Sequence, residues 1–89
     1  MNILDLSQRY LLNATELRVL EYILKAVEQG EPKINIRTVA KESFVSTTVV
    51  VNLAKKLGYQ GYSDMIYSLR RRAEEEHSAA AGIDLTSIL

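Results

Sequence analysis

The 89-residue chain carries 47% hydrophobic and 25% charged residues, no cysteine, a single histidine (His77) and a formal net charge of zero. Those values suit one small globular domain with a modest core, and they exclude disulfides, thiolate metal sites and clusters of histidine ligands, so no metal or cofactor is expected. Apolar runs such as Val49-Val50-Val51 fall far short of the ~20 residues of a membrane span, and the opening Met1-Asn2-Ile3-Leu4-Asp5 has no signal-peptide pattern, so the expected location is the cytoplasm, with no membrane partner.

The first segment, Ile3 to Leu12, has apolar residues at 3, 4, 6, 11 and 12 and is a weak helix candidate. Asn13-Ala14-Thr15 interrupts it. Thr15 suits an N-cap, followed by Glu16 at the positive end of a helix dipole. Leu17, Leu20, Ile23, Leu24 and Val27 then recur at helical spacing, and Gly30 with Pro32 supplies the stop, which predicts a helix over Glu16 to Gln29. Asn35 is placed to cap a helix that starts at Ile36, buries Ile36, Val39 and Ala40, and ends near Ser43. After the break Phe44-Val45-Ser46, Ser46 caps the run Thr47 to Leu57, which Gly58 closes in a left-handed conformation. The loop Tyr59 to Asp64 holds two glycines and two tyrosines, whose rings are expected to pack back on the core. Ser63 suits the cap of a last helix from Asp64 to about Glu76, with Met65, Ile66 and Leu69 inward and Arg70–Glu74 and Arg71–Glu75 spaced for i,i+4 contacts. Ser78-Ala79-Ala80-Ala81-Gly82 is small and unpatterned and reads as a linker. Beyond it Ile83, Leu85, Ile88 and Leu89 restart an apolar pattern, as if another element followed. The expected fold is all-α: a small bundle of about five helices over residues 1–77, then a tail over 78–89.

Charge is distributed unevenly along this plan. Met1 to Pro32 nets −2, Lys33 to Arg72 nets +6, and Ala73 to Leu89 nets −4. An asymmetry of this size points to an interaction face within the basic middle. That middle contains two short helices, Ile36 to Ser43 and Thr47 to Leu57, joined by about three residues, which is helix-turn-helix spacing. Ala40 must be small where the second helix crosses, Val45 seals the corner, and Val50, Leu53, Ala54 and Leu57 anchor the second helix. Thr47, Thr48, Val51, Asn52 and Lys55 then point outward. In this motif the second helix enters the major groove of double-stranded DNA. Thr47, Thr48, Val51 and Asn52 are the expected base-contacting residues: Asn52 suits adenine, the threonine hydroxyls suit either base type, and Val51 suits a thymine methyl. Ser46, Lys55, Lys56 and Arg37 are the expected phosphate contacts. The Arg70-Arg71-Arg72 run reads as an exposed helix face.

The stretch Leu12 to Leu69 resembles the N-terminal domain of RpiR-type regulators, the phosphosugar-responsive bacterial transcription factors. The resemblance is carried by the helix Glu16 to Gln29, by Ile36-Arg37-Thr38-Val39-Ala40-Lys41-Glu42-Ser43-Phe44-Val45-Ser46-Thr47-Thr48-Val49-Val50, and by the more specific blocks Lys55-Lys56-Leu57-Gly58-Tyr59 and Gly61-Tyr62-Ser63-Asp64. It implies an all-helical domain that binds operator DNA as a homodimer, with a phosphosugar effector sensed by a sugar-isomerase-like domain that would follow the tail. Two positions depart from the family pattern. Asn52 stands where Arg is usual, so operator preference does not transfer. Phe44 stands at a turn position often held by Gly, where a left-handed conformation has a cost that packing of the ring would offset.

Two other function classes compete. A helical interaction or dimerisation module without DNA binding is the alternative reading, favoured by the zero net charge. On either reading, the apolar Ile3, Leu4, Leu6, Leu11 and Leu12 are the best surface for self-association with a partner chain. An enzyme would have to draw on Asp64 with Tyr62 or Tyr67, or on His77 with its neighbouring glutamates. His77 beside a tail offers no held geometry in a dry cleft, so no catalysis is expected.

Overall fold

The computed structural model describes residues 10–88, with side chains described over 10–75. Four helices follow in order: α1 Ala14–Glu28, α2 Ile36–Glu42, α3 Thr47–Lys56 and α4 Tyr62–Ile88. No strand occurs among the described residues, and the all-α architecture expected from the sequence is the one formed. Most of the first expected helix, including Ile3, Leu4 and Leu6, lies outside the described residues.

The first three helices each start on a side-chain cap. At α1 the cap is Asn13, two residues before the expected Thr15. The Asn13 side-chain oxygen accepts the Glu16 amide at 2.8 Å, and the Glu16 carboxylate accepts the Asn13 amide at 2.9 Å. This reciprocal capping box satisfies two backbone donors that a helix end otherwise leaves unpaired. Asn35 caps α2 by accepting from the Arg37 amide at 2.8 Å, and Ser46 caps α3 by accepting from the Val49 amide at 3.4 Å, both as expected. α4 begins at Tyr62, so Ser63 lies inside its first turn rather than capping it. The Asp64 carboxylate instead reaches back to accept the Gln60 amide at 3.0 Å.

The first three helices end by one device. Glu31, Val45 and Tyr59 donate their amides to carbonyls five residues earlier, those of Ala26, Ala40 and Ala54, while Gly30, Phe44 and Gly58 donate to Val27, Lys41 and Lys55. These paired bonds define the Schellman motif, which requires a left-handed residue at the position after the cap. That residue is Gly30 (φ 72°), Phe44 (φ 59°) and Gly58 (φ 94°) in turn.

α4 does not stop near Glu76. It continues through His77 and the alanine stretch to Ile88, so the tail read as an unpatterned linker has a helical backbone. Alanine is the strongest helix former, and one internal glycine, Gly82, lowers helix stability by only about 1 kcal/mol.

The core collects Val19, Leu20 and Ile23 from α1, Val39 and Ala40 from α2, Val50, Leu53, Ala54 and Leu57 from α3 and its cap, and Met65, Ile66 and Leu69 from α4. Ile36 and Val45 are half-buried against it, less enclosed than the pattern suggested for Ile36, and Tyr59 and Tyr62 pack back on it as expected. Two polar contacts tie α4 to the loop between α1 and α2. The Tyr62 hydroxyl donates to the Ile34 carbonyl, and the Arg70 guanidinium donates to the Pro32 carbonyl at 3.2 Å. Burial pushes the Tyr62 hydroxyl up to about 12, with the Arg70 charge opposing and Tyr22 adding slightly, so it stays a proton donor at neutral pH.

Candidate nucleic-acid interface

The buried positions of α3, Val50, Leu53 and Ala54, with the capping Leu57, repeat at i, i+3, i+4 and i+7. At 3.6 residues per turn they form one stripe, and Thr48, Asn52 and Lys55 fall within roughly 40° of the direction opposite it. All three are exposed, and so are Thr47 and Ser46 at the helix start. Thr48, Asn52 and Lys55 thus share one outward face, and Ser46 and Thr47 are exposed at the N-terminal end of the same helix. Val51 lies on the flank and is half-buried, which leaves only part of its side chain to meet a ligand. Arg37 is exposed in the first turn of α2.

Lys56 is placed differently. Its Nζ lies 2.8 Å from a Glu16 carboxylate oxygen and 3.2 Å from the Leu11 carbonyl. The side chain crosses to the start of α1, away from the outward face of its own helix. Partial burial pushes the Glu16 carboxyl up, but the hydrogen bonds from Lys56 and the Asn13 amide and the Lys56 charge outweigh it, and the group sits below its ordinary value. Lys56 thus locks α3 to α1, and the expectation that it meets phosphate conflicts with this engagement. The sequence holds a signal for the lock that periodicity missed: Asn13-x-x-Glu16 is a capping-box pattern, and it fixes the carboxylate that Lys56 meets.

Phe44 also departs from expectation. Its left-handed backbone is present, but the ring is 84% exposed, so packing does not offset the strain. A non-glycine residue held there costs on the order of 1 kcal/mol. Arg71 and Glu75 form the expected i,i+4 pair at 3.5 Å, both largely exposed.

Of the residues weighed for acid–base chemistry, His77 lies outside the residues whose side chains are described. Asp64 accepts the Gln60 amide, Tyr62 donates to the Ile34 carbonyl, and Tyr67 is exposed on α4. Two short helices crossing at a left-handed corner, the second presenting a polar face, define a DNA-binding domain of the helix-turn-helix class. The family model described as the helix-turn-helix domain of the rpiR family matches residues 1–76, and the chain belongs to that family. No curated protein and no solved structure matches it.

Proposed function

We propose that this domain reads a specific duplex sequence by placing α3 in the major groove, within a bacterial regulator of sugar or sugar-phosphate metabolism. The observation that carries the reading is the anchoring of α3 by Val50, Leu53, Ala54 and Leu57, which leaves Thr48, Asn52 and Lys55 on the outward side. Thr47, Thr48 and Asn52 meet base edges, with Val51 at the margin. Ser46, Lys55 and Arg37 meet phosphates. Lys56 acts in the fold rather than on DNA. Membership of the rpiR family supports action as a homodimer, and supports a phosphosugar effector that binds outside residues 1–77 and is coupled through 78–89.

The test is a binding titration at several salt concentrations, using a duplex selected by the chain from a randomised library and a scrambled control. Asn52→Ala should cost about 1–3 kcal/mol on the selected duplex and relax preference at one base pair. Lys55→Ala should weaken both duplexes alike and reduce the salt slope by about one unit. If neither variant changes binding, α3 is not the recognition helix, and a helical interaction module becomes the better account.

A further inference from the structure

Three helix ends in this chain use the same left-handed Schellman position. Two of them hold glycine, Gly30 and Gly58, and the third holds Phe44. The chain therefore supplies its own control. The local geometry calls for glycine, and the phenylalanine is a departure that the folded domain does not recover, because the ring is 84% exposed. Backbone strain and an apolar ring in water both weigh against this residue in the isolated domain.

We infer that Phe44 is a DNA-contacting specificity residue whose ring packs on a thymine methyl group in the major groove beside the start of α3. The inference rests on the major-groove reading above. Phe44 lies two residues before Ser46, the cap of α3, and it is exposed, as are Ser46, Thr47 and Thr48. The start of a recognition helix is the end that approaches the base edges. In that groove the thymine methyl is the apolar group, and an aromatic ring is among the side chains that meet it. The outward residues of α3, Thr48, Asn52 and Lys55, supply hydrogen-bonding groups and a cation, and Val51 on the flank is half-buried, so Phe44 adds an exposed apolar group beside them.

The experiment uses the full chain and a duplex it selects from a randomised library, together with duplexes in which each thymine in turn is replaced by uracil, which lacks the methyl group. Phe44→Asn removes the ring but keeps a residue that tolerates the left-handed region, and Phe44→Gly removes both ring and strain. At one thymine position the unaltered chain should lose about fourfold in affinity on the uracil duplex, the worth of one methyl group taken out of water. Both variants should show that loss already on the thymine duplex and no further loss on uracil. Their melting temperatures should equal or exceed that of the unaltered chain. The inference is overturned if both variants bind the thymine duplex as the unaltered chain does, if their loss is the same on every uracil duplex, or if it tracks a lowered melting temperature. Asn52→Ala and Lys55→Ala in the same assay separate the two failures. If they weaken binding while the Phe44 variants do not, only this inference falls; if none has an effect, the major-groove reading falls with it.

Discussion

Replacing Lys55 and Lys56 by alanine, one at a time, should produce two different defects from adjacent residues of one type. Lys55 is exposed on the outward side of α3, while Lys56 bonds the Glu16 carboxylate at 2.8 Å and the Leu11 carbonyl at 3.2 Å. The Lys56 side chain retains 38% exposure against 14% for Glu16, so solvent screens the pair from one side. An exposed ion pair contributes at most about 1 kcal/mol, and a charge-assisted hydrogen bond to a sheltered carboxylate somewhat more. Lys56→Ala also leaves Glu16 with only its capping bond. Together these give an expected loss of about 1 kcal/mol, which lowers the melting temperature of a domain this size by roughly 4–8 °C. Lys55→Ala should change the melting temperature by less than about 2–4 °C, since surface substitutions away from such contacts change stability by under about 0.5 kcal/mol, and should weaken DNA binding instead. Thermal melts followed by circular dichroism and binding titrations on the same preparations check both. If Lys56→Ala weakened DNA binding as much as Lys55→Ala at an unchanged melting temperature, the assignment of Lys56 to the fold would be refuted.

Two further outcomes follow from the shifted groups. Glu16 has a lowered folded-state pKa, so its contribution is present above the unfolded-state value and is lost as pH falls through the folded one; the melting temperature should drop on acidification below the ordinary carboxylate range, and Glu16→Gln should be less stable at neutral pH and lose less of its stability on acidification. Tyr62 has a folded-state pKa raised to about 12, so its contribution is present below its ordinary value and disappears as pH rises towards 12; Tyr62→Phe should lose about 1 kcal/mol at neutral pH, the worth of the bond to the Ile34 carbonyl, and show a flatter alkaline limb in denaturant titrations.

The sequence was most legible where one local rule decides the outcome. Asn35 and Ser46 cap the helices they precede, Gly58 closes α3 in the left-handed region, and the apolar spacing of Val50, Leu53, Ala54 and Leu57 picks out the buried face. It was less legible where two local rules compete. At the start of α1 both Asn13 and Thr15 are good caps, and the choice went to the residue with a glutamate three positions on, because the second hydrogen bond of the box adds to the first. At the end of α4, small unpatterned residues looked like a linker because periodicity reports burial. Small residues carry little periodic signal, yet alanine favours helical backbone by intrinsic propensity alone.

Charge shows why the site was only partly readable. A tally from Lys33 to Arg72 counts eight basic residues and treats them as one reservoir. The fold divides them. Lys56 is held by Glu16 and the Leu11 carbonyl, Arg70 by the Pro32 carbonyl, and Arg71 pairs with Glu75. None of those partners is near its cation in sequence except Glu75, so only the i,i+4 pair was visible beforehand. On the two helices of the motif, Arg37, Lys41 and Lys55 remain exposed. On the proposed major-groove reading, these three exposed cations, rather than a net +6, are the ones placed to meet phosphate, and each phosphate neutralised would contribute about 0.9 to the salt slope. A zero net charge is therefore compatible with a DNA-facing surface. The acidic residues that balance the sum include Glu16, which is turned inward to hold α3 in place, so part of the negative charge serves to position the helix that carries the exposed Lys55.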